Sequence, residues 1–162
     1  MQTNGGGFVD APTAEESTAV EDRATRGVRT DVLVRWSDMD AYGHVNHSRT
    51  VTLLEEARVE TVFKPGSATG TLGAGAVVAA LQVTYCRQLV HDDSPLQVLM
   101  WVSHLRAADF TLCYELRPKG EDESSKPAVT ASTQIVAFDI GAQRPRRLTE
   151  IERTALRQWH RD

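Results

Sequence analysis

The sequence predicts an α+β domain, a curved antiparallel sheet of five strands wrapped around one long central helix. Two observations carry this. Apolar and polar residues alternate over five separate runs, which is the period of strands with one buried face. Between the first and second runs, the stretch from Ser48 to Phe63 repeats its apolar positions at three- and four-residue spacings, the period of a helix. One strand, one helix and then four antiparallel strands is an α+β order.

The first strand is expected where Val32, Val34 and Trp36 alternate with Asp31, Leu33 and Arg35. In the helix, Val51, Leu53, Leu54, Ala57, Val59, Val62 and Phe63 spread well beyond one narrow stripe, so the helix should be covered on most sides, and Pro65 and Gly66 stop it. The second strand holds Val77, Ala79, Leu81, Val83 and Tyr85. Leu96 to Val102 and Phe110 to Leu116 flank the turn-like Arg106-Ala107-Ala108-Asp109 and read as a long hairpin. A polar loop from Lys119 to Lys126 leads to the last strand, with Val129, Ala131, Thr133, Ile135 and Ala137 on one face. A short second helix should start at Thr149. There Thr149-x-x-Glu152 has the capping-box pattern, followed by Ile151, Ala155, Leu156 and Trp159 on one face.

Composition narrows the function. The chain has 162 residues, about one domain, and 18 Lys+Arg against 22 Asp+Glu give a net charge of −4, which argues against nucleic acid or an anionic membrane as the main partner. No apolar run approaches the roughly 20 residues that span a bilayer. Residues 1–27 carry five acidic and two basic side chains, three consecutive glycines and no apolar signal-peptide core, so 1–28 is expected to be a flexible acidic tail before a single domain, 29–162, in a cytoplasmic protein. Cys86 and Cys113 fall in strand-like runs and are expected as buried thiols rather than a disulfide.

The chemically dense segment is Arg35 to Ser48, at the junction of the first strand and the helix, with Asp38, Asp40, His44 and His47 in it. Amides at a helix start can stabilise developing negative charge, which suits catalysis. The same residue types also serve as turn and cap residues, and spacing alone does not separate the two uses. No Gly-x-Ser-x-Gly elbow occurs and neither cysteine has a flanking histidine, which argues against a serine or cysteine hydrolase. A metal is not expected, because there is no His-Glu-x-x-His and the calcium-loop pattern from Asp38 fails at Tyr42 and Arg49. With no Gly-Lys-Ser/Thr, the glycines at 66, 70, 73 and 75 are turn glycines rather than a phosphate loop.

Trp36-Ser37-Asp38-Met39-Asp40-Ala41-Tyr42-Gly43-His44-Val45-Asn46-His47, followed by Leu54-Glu55-Glu56-Ala57-Arg58, resembles the hotdog-fold acyl-CoA thioesterases of the 4-hydroxybenzoyl-CoA thioesterase-like family. Leu81-Gln82-Val83-Thr84-Tyr85-Cys86-Arg87 is similar to that family's second strand. The resemblance covers about residues 29–140. It implies that Asp40 is the catalytic carboxylate, attacking the thioester carbonyl directly or activating water, and that His47 stands where a helix-start amide polarises that carbonyl. Gly43, His44 and Asn46 take supporting roles. No cofactor is implied, since coenzyme A is part of the substrate. Its phosphates need basic partners. Arg106 is the sole basic residue at the hairpin turn where relatives carry several, and Arg87 or the cluster Arg144, Arg146, Arg147 could substitute. The resemblance also implies a homodimer, or a homotetramer, with the site between subunits. The other readings are a non-catalytic acyl-thioester binding module and an acyl-carrier-protein thioesterase. A hydratase fits less well, for want of an Asn-Pro between an aspartate and a histidine at the required spacing.

Overall fold

A computed structural model describes residues 26–161. It consists of β1 (Val28–Val32), α1 (His47–Thr61), β2 (Ala76–Tyr85), β3 (Leu96–Leu105), β4 (Asp109–Pro118), β5 (Val129–Asp139), β6 (Arg144–Pro145) and α2 (Glu150–Gln158). The main strands are antiparallel in the order β1-β3-β4-β5-β2, with β6 paired to β5. The sheet curls around α1, the hotdog arrangement. The expected tail, 1–28, lies mostly outside the described residues; Val28, its last residue, opens β1.

Alternation explains how the layers close. Val98, Met100 and Val102 of β3 and Phe110, Leu112, Tyr114 and Leu116 of β4 are buried on one face, while the residues between them are partly open. That face receives Leu53, Leu54 and Ala57 of α1, all nearly inaccessible. Burying a side chain of this size contributes roughly 1.5–3 kcal/mol, so this interface supplies a large share of the apolar driving force.

Five sequence expectations are corrected. The first strand ends at Val32 rather than at Trp36, because Asp38 folds back to accept the Arg35 amide through Oδ2 at 2.8 Å and closes a 3-10 turn at Trp36–Asp38. Val32 and Val34 are buried as expected, but Trp36 is 80% exposed. The helix buries one broad face instead of most of its surface: Val59 is open, and Arg58 lies inside, with Nη1 donating to the Tyr114 hydroxyl at 3.1 Å. A sixth, two-residue strand is present, too short to leave a periodic signal. In α2 the capping box forms as expected, but Ile151 faces outward and Glu152 lies fully buried beside Leu156. Capping requires the Glu152 carboxylate to turn back onto the Thr149 amide, and this phases the helix around Glu152.

β2 differs most from its alternating pattern. It is the edge strand beyond β5, its register shifts between Val78 and Ala80, and Val77, Val78, Leu81 and Tyr85 are all exposed. An open, apolar, ten-residue edge is one that proteins normally cover.

Candidate active site

The loop from Asp38 to Asn46 is a tight hairpin held at both ends. Met39 and Val45 form an antiparallel bridge, the Asn46 amide donates to the Asp38 carbonyl at 2.9 Å, and the Val45 amide donates to the Leu89 carbonyl at 2.8 Å. At its tip the Gly43 amide donates to the Asp40 carbonyl, and Gly43 takes a φ of 78°, a left-handed conformation that costs glycine little and turns the chain back. The role of Gly43 is therefore in the backbone.

That turn fixes Asp40. Its Oδ1 accepts the Tyr42 amide at 2.8 Å and the His44 amide at 3.1 Å. Among the described residues Oδ2 has no hydrogen-bond donor and remains available. The His44 amide, against a smaller opposing effect of burial, and then the Tyr42 amide hold the carboxyl below its ordinary value, helped by the fields of His44 and His47. Asp40 is thus an anion near neutral pH, with one oxygen occupied and one unpartnered.

α1 begins beside it. Asn46 is the N-cap, and its Oδ1 accepts the Ser48 amide at 2.9 Å and the Ser48 hydroxyl at 2.7 Å. The cap leaves the His47 and Arg49 amides without an acceptor among the described residues, as the first turn of a helix allows. Asp40, His47, Tyr85, Arg87 and Leu89 line one cavity of about 390 Å³. The Arg87 guanidinium is paired with Glu121 at the rim.

The structure thus brings together Asp40, His47 and Arg87, with the His44 amide bonded to Asp40 and Asn46 capping the helix that starts at His47. It does not bring Arg106 to this cavity. Arg106 stands in the β3–β4 turn, 3.7 Å from Asp109 and exposed. Six residue steps along β5 separate Val129, which pairs with Tyr85 at the cavity, from Ile135, which pairs with Phe110 at that turn, or about 20 Å along a strand. Tyr85 was legible only as a strand residue, yet its hydroxyl donates to the His47 carbonyl at 2.8 Å. A contact across 38 positions leaves no trace in periodicity.

A larger cavity, about 710 Å³, lies at the opposite end of β2 between Gly75, Phe138 and the start of α2. Two carboxylates line it: Glu152, which is paired with Arg146, and Asp139, whose Oδ1 accepts the Ala142 amide at 2.9 Å. Among the described residues no group of three or more His, Cys, Asp or Glu is placed to hold a metal. Cys86 and Cys113 are unpaired thiols.

A sheet curled around one helix is the hotdog arrangement, and the chain is a thioester hydrolase of that fold. Residues 34–159 match the Thioesterase-like superfamily, and the chain belongs to it. No protein of curated function matches the chain in sequence. Among solved structures it is similar to a thioesterase from Thermus thermophilus complexed with coenzyme A and zinc, at 25% identity and a TM-score of 0.67 over 82% of this chain and 92% of that one. The probable thioesterase YbaW from Escherichia coli is 25% identical, with a TM-score of 0.67 over 81% and 97% of the two chains. The PA2801 protein of Pseudomonas aeruginosa is 29% identical, with a TM-score of 0.65 over 78% and 95%. No described helix is long and apolar enough to cross a membrane.

Proposed function

We propose that the protein hydrolyses an acyl-CoA to the free carboxylic acid and coenzyme A. The observation that carries this reading is one cavity lined by both Asp40, with Oδ2 unpartnered, and the first residue of α1. The Thermus thermophilus relative, which holds coenzyme A, supports the substrate class.

In the reaction the His47 amide polarises the thioester carbonyl. Asp40 Oδ2 either takes a proton from water as the water oxygen attacks the carbonyl carbon, or attacks that carbon itself and forms an anhydride that water then opens. Either route breaks the C–S bond and releases the CoA thiolate, which takes up a proton. Thiols have pKa values near ~8.5, so this group leaves without a strong general acid. Such a leaving group suits a site with one carboxylate and a helix start. We assign the CoA phosphates to Arg87, which lines the cavity and is paired with Glu121.

Thiol release from a panel of aliphatic and aromatic acyl-CoAs, with the acyl-carrier-protein thioester of the best acyl group alongside, tests the proposal. Catalytic release from at least one CoA ester is expected. Binding of acyl-CoA without thiol release would establish a non-catalytic module in its place, and preference for the carrier protein would make that the substrate.

The exposed β2 edge supports a homodimer, since pairing β2 with its copy about a two-fold axis covers its apolar residues. An antiparallel pairing sets the Ala76 end of one copy beside the Tyr85 end of the other, and so beside the candidate site. Light scattering is expected to give at least twice 17.9 kDa, and replacing Val78 and Leu81 with lysine should shift the protein toward monomer. A wild-type protein that stays near 17.9 kDa at assay concentration would remove the shared site.

A further inference from the structure

We propose that Tyr85 is a positioning residue for hydrolysis: with Asn46 it clamps the peptide group between His47 and Ser48, and so aims the His47 amide into the cavity. The inference rests on the reading given above of the helix start as the group that polarises the thioester carbonyl.

Two bonds meet on one rigid unit. The Tyr85 hydroxyl donates to the His47 carbonyl at 2.8 Å, and the Ser48 amide donates to Asn46 Oδ1 at 2.9 Å. That carbonyl and that amide belong to the same planar peptide group, so holding both ends fixes its plane. The preceding amide, of His47, is one Cα away and inherits the orientation. Without Tyr85 the first turn keeps its cap and its intrahelical bonds, which begin with the Thr50 amide to the Asn46 carbonyl at 3.0 Å, but loses this tie to β2.

The placement of Tyr85 fits this role better than a packing one. It is the last residue of an edge strand and 48% exposed, so its ring adds little to the core. Its hydroxyl reaches from β2 to α1 beside a cavity that both elements line. Partial burial raises the phenol above its ordinary value, which keeps the proton on the oxygen that must donate it.

A displaced amide still allows substrate to bind but meets the developing oxyanion poorly, so the loss should fall on kcat. For Tyr85→Phe, kcat is expected to drop roughly tenfold, while KM and the affinity for a non-hydrolysable thioether analogue of acyl-CoA stay within about twofold. Asn46→Asp, which keeps an acceptor for the Ser48 amide, is expected to retain most of kcat, and Asn46→Ala to lose it. All variants are assayed well below the melting transition of the least stable, so that unfolding does not imitate lost turnover. An unchanged kcat in Tyr85→Phe, or a loss shared equally by KM and analogue binding, would overturn the clamp. Asp40→Asn separates the two ideas. If that variant is inactive while Tyr85→Phe is normal, the clamp falls and the Asp40 reading stands; if Asp40→Asn is fully active while Tyr85→Phe loses kcat, the reverse holds.

Discussion

Asp40→Asn is expected to fold as the native chain does and to lose turnover by a factor on the order of 10²–10⁴. The two halves of this expectation rest on different oxygens. Oδ1 accepts the Tyr42 and His44 amides, and an asparagine carbonyl placed there accepts the same pair, so the Asp40–Val45 turn and the start of α1 remain in place. Oδ2 is the oxygen left over, and an amide nitrogen in its place can neither take a proton nor attack a carbonyl. Thiol release under saturating acyl-CoA, with thermal melting alongside, measures both halves. Full activity with every acyl-CoA tested would reject Asp40 as the reacting group. Asp38→Asn is the internal comparison: the Asp38 carboxylate is buried against the Arg35 amide, away from the cavity lining, so its effect on kcat should be milder. Because the Asp40 carboxyl is held below its ordinary value, activity lost through its protonation should fall away at a lower pH than an unperturbed aspartate would give.

Much of this site could be read from the sequence because it is local. Asp40, Gly43, His44, Asn46 and His47 lie within one turn and one helix cap, and the bonds among them span four positions or fewer. Patterns of residue types over such distances constrain geometry directly. Three features could not be read, each for a physical reason. Periodicity gives the spacing of a helix face but not its phase, so Ile151 and Glu152 could not be told apart until the capping carboxylate fixed the rotation. Alternation marks a strand but not its rank in the sheet, and β2 at the edge is open on both faces where the same pattern in β4 is closed. Contacts between distant elements, Tyr85 with His47 or Thr71 with Glu152, depend on how the sheet curls. Arg106 illustrates the same limit, since the hairpin that carries it points away from the cavity within one chain.

Arg146→Ala is expected to destabilise the fold by about 3–5 kcal/mol at neutral pH, the usual cost of leaving a buried charge without its partner. Glu152 is fully inaccessible, and its carboxylate accepts from Arg146 Nη2 at 2.7 Å, Arg146 Nη1 at 2.9 Å, the Thr71 hydroxyl at 2.6 Å and the Thr149 amide at 2.7 Å. These bonds join the turn at Gly70–Ala74, the segment after β5 and the start of α2, so one carboxylate secures three pieces of chain. Burial pushes the carboxyl up, but the bonds from Arg146, Thr71 and Thr149 outweigh it and bring the pKa from 4.5 down to about 2. A folded-state value below the unfolded one means that the stabilisation is fully present above pH 4.5 and is lost as the pH falls from there toward about 2. A shift of that size corresponds to about 3 kcal/mol, comparable with the truncation cost. Urea unfolding at neutral pH should therefore show a lower midpoint for Arg146→Ala. Repeating it under increasing acidity should show the difference narrowing, because a protonated Glu152 no longer needs the guanidinium. Equal midpoints at neutral pH, or a gap that stays constant into acid, would show that the pair does not hold α2. Replacing both partners with apolar residues of similar size, Arg146→Met with Glu152→Leu, should cost less than Arg146→Ala alone, since the penalty lies in the orphaned charge rather than in the absence of an ion pair.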